Sequence, residues 1–256
     1  MRVSQGTSTT YQPHRAVSAP LPFRTSSIVG RTNELSDLQQ YLDSALQGQR
    51  QVVFVTGEPG IGKTTLIQAF LDQISVRGDL LIGQGQCIDH YGTGEGYLPV
   101  LDALGQALRG SEGERLLRLL GRYAPTWLTH LPAFLSATDM EAIQRKTQGA
   151  TRERMLREIA EALEALTAEQ LLVFVLEDLH WSDASTVDLL SFVARRRQSA
   201  RLLIIGTYRP DMIVREHPLR RVKQELQAHD LCREVAVHLL SAHDVDEYLT
   251  QRFPHN

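Results

Sequence analysis

Apolar residues fall along this chain in two alternating rhythms, a helical period and short unbroken runs, and that alternation sets the expected architecture. Leu35, Leu38, Tyr41, Leu42, Ala45 and Leu46 share one face of a predicted helix from Thr32 to Leu46, with Thr32 placed to cap it and Gly48 to stop it. Val52 to Val55 is wholly apolar, as a strand covered on both faces should be. Glycines follow at once, and from Lys63 the positions Leu66, Ile67, Phe70, Leu71 and Ile74 mark a second helix ending near Gly78. Leu80 to Cys87 reads as a strand, Asp89 to Gly96 as a glycine-rich loop, and a helix opens near Pro99. Residues 98–149 read as helices broken at Gly110, Gly113, Gly121, Pro125, Pro132 and Gly149. Met155, Leu156, Ile159, Leu163 and Leu166 then line a clearer helix over Thr151 to Leu166.

Leu171 to Leu176 is the most apolar run in the chain, and Glu177 and Asp178 follow it directly. Beyond it come a helix over about Asp183 to Arg197, a strand Arg201 to Thr207, a helix over about Val214 to Ala228, and an edge strand Leu231 to His238. A last helix is capped by Ser241 with Asp244 three residues on. Strands alternating with helices predict an α/β three-layer sandwich, a mostly parallel five-stranded sheet with helices on both faces. Residues 1–27 carry only scattered apolar positions, Val3, Val17, Leu21 and Phe23, and read as a flexible lead-in or linker before one domain over 28–256.

Composition narrows the partners rather than the fold. A net charge of -3 and a pI near 6.3 give no global electrostatic case for wrapping nucleic acid or lying on an anionic membrane. Cys87 and Cys232 have neither metal-ligand spacing nor the density of a disulfide framework, which fits a reducing cytoplasm. The run Leu171 to Leu176 is far too short to span a bilayer, and the N-terminus lacks the apolar stretch of a signal peptide.

The candidate chemistry begins at Gly57 to Thr65, whose sequence GEPGIGKTT fits G-x-x-x-x-G-K-[ST] between a predicted strand and a predicted helix. Gly57, Gly60 and Gly62 let the backbone approach oxygen atoms without a Cβ clash, so that the amides of Glu58, Ile61 and their neighbours past Pro59 turn toward a polyphosphate. The helix N-terminus adds about half a positive charge there. Lys63 is placed to neutralise β- and γ-phosphates, the Thr64 hydroxyl to enter a Mg²⁺ shell, and Thr65 closes the motif. By composition alone the string arises in a chain of this length roughly once in a hundred, and the flanking elements lower that further.

A second element is expected at the carboxyl end of a neighbouring buried strand, where ligands bind in open α/β sheets, and Glu177 and Asp178 sit there. The first acid would hold Mg²⁺ and the second would orient or deprotonate water. Most phosphate-loop ATPases carry Asp before Glu; the reversed order leaves the division of labour between the two open. His180 beside Trp181 reads as a packing element, with Asp183 in the same loop. Arg209, just past the strand ending at Thr207, either reads a γ-phosphate or lies on the surface. Arg195 to Arg197, and likewise Arg220, Arg221 and Lys223, read as solvated helix faces, with an arginine finger toward a neighbouring subunit as the alternative for the second group. Gly92, Gly94 and Gly96 read as a mobile loop.

Four segments in order carry a family resemblance: IVGRTNEL at Ile28 to Leu35, GEPGIGKTT, LLVFVLEDLHWSDAST at Leu171 to Thr186, and LIIGTYRP at Leu203 to Pro210. Over about residues 25–256 the chain resembles the nucleotide-binding domain of STAND signalling ATPases, in the AAA-type, origin-recognition-like branch of phosphate-loop (P-loop) NTPases. The resemblance implies ATP or ADP with Mg²⁺ as ligands, Val29, Gly30 and Arg31 against the adenine, and Arg209 as γ-phosphate sensor. It implies a slowly hydrolysing ATPase whose nucleotide sets a regulatory state, working beside other domains of a larger signalling or transcriptional regulator and forming a nucleotide-dependent homo-oligomer. The alternative is an oligomeric AAA-type motor or loader acting on DNA or protein. The chain stops at Asn256, before the helical lid of similar proteins, and is expected to be a fragment or trimmed domain. No LSGGQ-like segment points to a transporter ATPase, no NKxD to a GTPase, and the length leaves no room for a second helicase lobe.

Overall fold

The apolar runs around Val52 to Val55, Leu171 to Leu176 and Leu202 to Ile205 become the central strands of a five-stranded parallel sheet, because helices cover both of their faces. A computed structural model describes residues 28–89 and 96–253. The strands are β1 (Gln51–Thr56), β2 (Leu80–Gln86), β3 (Leu171–Glu177), β4 (Leu202–Tyr208) and β5 (Arg233–Ala236), in the sheet order β2-β3-β4-β1-β5. Every pairing is parallel, where the pattern predicted mostly parallel. The helices are α1 (Thr32–Leu46), α2 (Lys63–Ser75), α3 (Leu98–Leu108), α4 (Gly113–Tyr123), α5 (Pro125–Leu128), α6 (Ala137–Thr147), α7 (Arg152–Thr167), α8 (Ala184–Ala194), α9 (Pro218–Ala228) and α10 (Ala242–Arg252).

Strand periodicity divides the core in two. Val53, Val55, Val173, Val175, Leu203 and Ile205 point to the face covered by α1 and α2. Phe54, Leu172, Phe174, Leu202 and Ile204 point to the other, packed by α3, α4 and α7 to α9. A continuous apolar run is what a strand buried on both sides requires. Among the described residues, no helix is long and apolar enough to cross a membrane.

Several boundaries move for identifiable reasons. Thr32 is the first residue of α1 rather than its cap, and Arg31, in the capping position, gives no side-chain cap because a guanidinium only donates; it donates instead to Glu34 and to the Ile61 carbonyl. The helix expected from Val214 begins at Pro218, where the His217 ring accepts the Leu219 amide. Asp183 caps α8 by accepting from Ser185 and Thr186, and Ser241 and Asp244 form the expected capping box of α10. The lead-in over 1–27 and the glycines Gly92 and Gly94 lie outside the described residues.

The broken helical region between β2 and β3 is seated by two close contacts. A Cβ at Gly85 would stand 1.8 Å from the Pro99 carbonyl oxygen, so α3 rests directly on the β2 backbone. Gly85→Ala is expected to lower unfolding stability by about 3 kcal/mol in a urea melt, by forcing that helix off the sheet. Farther out, the buried Glu158 carboxylate accepts the Thr126 amide at 2.8 Å, the Thr126 hydroxyl at 3.0 Å and the Arg154 Nε at 2.7 Å. Glu158→Ala strands the Thr126 donors in the interior and is expected to destabilise by about 3 kcal/mol, read as a drop in melting temperature.

Candidate nucleotide-binding site

The loop between β1 and α2 has the backbone of an anion cradle. Gly60 and Gly62 take φ of 73° and 100°, and nothing lies within 4 Å of the place a Cβ would occupy at either. Gly57 is pressed against the sheet, where a Cβ would stand 2.7 Å from the Val237 carbonyl oxygen. Gly62 precedes α2 with no side-chain cap, so the first-turn amides of that helix face out unclaimed by a capping side chain. Glu58, Pro59 and Gly60 are exposed along the loop's crest, with Ile61 half-buried behind them.

Lys63 is buried, and its Nζ donates back to the carbonyls of Gly57 at 2.8 Å and Glu58 at 2.9 Å. Burial pulls its pKa below the usual lysine value, and nearby Arg209 pulls the same way, against Asp178 and Asp211. Two cations so placed, beside uncapped amides, fit an anionic ligand such as a polyphosphate. Across the sheet edge, Thr64 Oγ1 donates to Glu177 Oε2 at 2.8 Å. This pair supplies two hard oxygens, a donor set that fits Mg²⁺ keeping waters and phosphate oxygens in its remaining positions.

The sheet order corrects one expectation. The acids are not on a strand beside β1: β4 is inserted between β1 and β3. That insertion sets Arg209, immediately after β4, between the glycine loop and the acids. Arg209 is half-buried and forms no ion pair among the described residues. Just before it, Tyr208 accepts from Lys223 Nζ at 2.6 Å, and Lys223 also pairs with Glu234 at 2.7 Å. Lys223 is therefore part of a half-buried anchor behind β4, not the solvated charge expected from sequence.

Asp178 has φ 57° and ψ 44°, a left-handed conformation that few non-glycine residues adopt outside special sites. Its amide donates to Thr207 Oγ1 at 2.9 Å, and its Oδ2 accepts from Gln86 Nε2 at 3.1 Å. Gln86 went unmarked in the sequence; the available signal was a polar residue closing an apolar strand, at the position that pairs with Glu177. His180 is buried, as a packing residue would be, yet both its ring nitrogens lack a hydrogen-bond partner among the described residues.

The segment Val29 to Arg31 is carried to the same place. Arg31 Nη2 donates to the Ile61 carbonyl at 3.0 Å, while Nη1 binds Glu34 at 3.1 Å. Gly30 packs so tightly on Leu240 and Asp244 that a Cβ would come within 2.6 Å of Asp244. Val29 and Gly30 thus lie where the glycine loop meets the start of α10. Three of the outlying arginines are paired: Arg195 and Arg221 both with Glu225 at 2.9 Å, and Arg196 with Glu164 at 2.7 Å. Arg220 is exposed. Burial pushes the thiols of Cys87 and Cys232 up to about 12 and about 11, which leaves both inert at neutral pH.

A five-stranded parallel sheet with a glycine loop opening α2, and acids and an arginine at the tips of the strands beyond, defines a P-loop nucleotide-binding protein. The family model described as the AAA ATPase domain matches residues 27–205, and the chain belongs to that family. It is 29% identical over 192 residues to an uncharacterized protein of Rhizobium meliloti (strain 1021), an alignment covering 72% of this chain. The chain spans 18% of that relative's length. Among solved structures, it is similar to Cdc6p from Pyrobaculum aerophilum, at 14% identity, covering 91% of this chain and 52% of that one, with a TM-score of 0.48. It is also similar to a chain of Drosophila ORC bound to poly(dA/dT) DNA and Cdc6, at 12% identity, covering 86% and 30%, with a TM-score of 0.44.

Proposed function

We propose that this domain binds ATP with Mg²⁺ in the Gly57–Thr65 cradle, hydrolyses it slowly, and serves as the nucleotide switch of a larger signalling or transcriptional regulator of the STAND kind. The observation that carries the reading is the 2.8 Å contact between Thr64 and Glu177, which brings the helix that opens the cradle and the strand that bears the acids to one point.

In this reading the loop amides and Lys63 bind the β- and γ-phosphates, with the lysine exchanging two backbone carbonyls for phosphate oxygens. Thr64 and Glu177 hold the metal, which when bound draws charge off the phosphate oxygens. Asp178 is then the acid that orients or deprotonates the attacking water, since Glu177 is committed to Thr64. Arg209 faces the γ-phosphate from β4, and Val29 to Arg31 border the adenine. Among the described residues Gln86 is the one side chain that donates to Asp178, and a carboxylate held by one donor supports a poised rather than a fast catalyst.

The test is the nucleotide that co-purifies with the protein, together with its steady-state turnover. Retained ADP or ATP with slow turnover, unaltered by DNA, supports the switch. A second reading, an oligomeric motor or loader, draws on Arg220, which is exposed on α9 while Arg221 and Lys223 beside it are paired. Fast turnover stimulated by DNA or a protein partner, and lost on Arg220→Ala, would favour that alternative.

A further inference from the structure

The side chain of His180 is wholly shut off from solvent, and neither ring nitrogen has a hydrogen-bond partner among the described residues. Protein interiors satisfy nearly all such groups, so an idle buried imidazole calls for a reason. Packing alone does not supply one, because an apolar side chain would fill the same space without stranding two polar atoms. Burial holds the ring's pKa below its usual value; Asp178 opposes this, and Arg209 and Lys63 reinforce it. That direction favours the neutral ring at neutral pH, and a neutral imidazole carries one N–H.

One nitrogen has a target. Nδ1 lies 3.9 Å from Asp178 Oδ1, short of a hydrogen bond, while Asp178 Oδ2 is already held by Gln86 at 3.1 Å. Asp178 thus stands between two donors, one engaged and one waiting. The backbone of His180 is itself anchored. Its carbonyl accepts from His217 Nε2 at 3.0 Å, and His217 Nδ1 accepts the Leu219 amide at 3.2 Å, which fixes the His217 tautomer and ties this loop to the first turn of α9. Trp181 packs beside the imidazole at 5.1 Å between ring centroids.

We propose that His180 is a positioning residue for Asp178: on nucleotide loading its Nδ1–H closes onto Asp178 Oδ1, and with Gln86 on Oδ2 it fixes the plane of the carboxylate toward the attacking water. No proton is transferred; a neutral N–H donor engages a carboxylate that, among the described residues, Gln86 alone holds and leaves free to rotate. The inference rests on the reading of Asp178 as the acid that orients water.

The experiment compares the full chain with its His180→Asn and His180→Gln variants. Asparagine offers an amide N–H near the place of Nδ1, and glutamine one near the place of Nε2. ATP affinity is read by titration with a fluorescent ATP analogue, and hydrolysis by single-turnover release of labelled phosphate. The expected result is unchanged ATP affinity in both, hydrolysis slowed about tenfold in the glutamine variant, and a rate within about threefold of the parent in the asparagine variant. Equal rates in the two variants, whether at the parent level or equally depressed, would overturn the proposal. A second readout needs no variant. In the ¹⁵N-histidine-labelled parent chain, adding Mg²⁺ and ATPγS is expected to move the His180 Nδ1 resonance to that of a hydrogen-bonded N–H, and an unmoved resonance in nucleotide-saturated protein overturns the proposal even if both variants misfold. A parent chain that binds no ATP at all would sink the nucleotide reading itself, a failure told apart by the titration.

Discussion

Replacing Lys63 with alanine is expected to weaken ATP binding at least a hundredfold, or about 3 kcal/mol, measured by isothermal titration in the presence of Mg²⁺. The size of the effect follows from where the ammonium is kept. It is buried at the mouth of α2, bonded to two loop carbonyls, and held below its ordinary pKa by burial and by Arg209. A triphosphate brings the compensating charge for both cations, so the lysine interacts far more strongly with ligand present than absent. The fold is expected to survive, because the carbonyls of Gly57 and of the exposed Glu58 belong to a loop that water can reach. Lys63→Arg keeps the charge but carries a planar fork too large for two carbonyls on one tight turn, and is expected to recover little of the affinity.

Asp178→Asn is expected to slow hydrolysis about 10²- to 10³-fold while leaving ATP affinity nearly unchanged, measured by single-turnover kinetics beside a binding titration. Asparagine is isosteric and tolerates the left-handed backbone at this position better than almost any other residue, so the loop geometry is preserved. The amide bond to Thr207 is untouched, and the asparagine carbonyl can still accept from Gln86. What is lost is the negative charge that orients or takes a proton from water. Glu177→Gln is expected to behave differently, lowering affinity for the Mg²⁺ complex because it removes the carboxylate charge that, beside Thr64, would hold the metal. An unchanged rate in Asp178→Asn would assign the water to another group and reverse the division of labour between the two acids.

Much of this was written in local pattern. The amphipathic spacing of Leu38, Leu42 and Ala45 in α1, and of Leu66, Ile67, Phe70, Leu71 and Ile74 in α2, fixed those helices almost to the residue, because a single buried face dictates period and length. The glycine loop was equally legible, since positive φ at Gly60 and Gly62 is a requirement that sequence records directly. Other features depend on contacts that no local pattern carries. The insertion of β4 between β1 and β3 is a choice of strand order, and β4 looks from sequence like any other buried strand. Gln86 acquires a role only through its register with Glu177, and Lys223 through Tyr208 and Glu234. His180 reads as packing and is indeed buried; its ring, unpaired among the described residues, and the 3.9 Å gap to Asp178 distinguish it from an ordinary core histidine.

The most direct test of the central claim is a crystal structure of the chain with Mg²⁺ and a non-hydrolysable ATP analogue. The account predicts the triphosphate against the Gly60–Thr65 amides, Lys63 Nζ released from the Gly57 and Glu58 carbonyls to the phosphates, and the metal between Thr64 and Glu177. A nucleotide bound elsewhere, with Lys63 still on those carbonyls and Thr64 still bonded to Glu177, would contradict it.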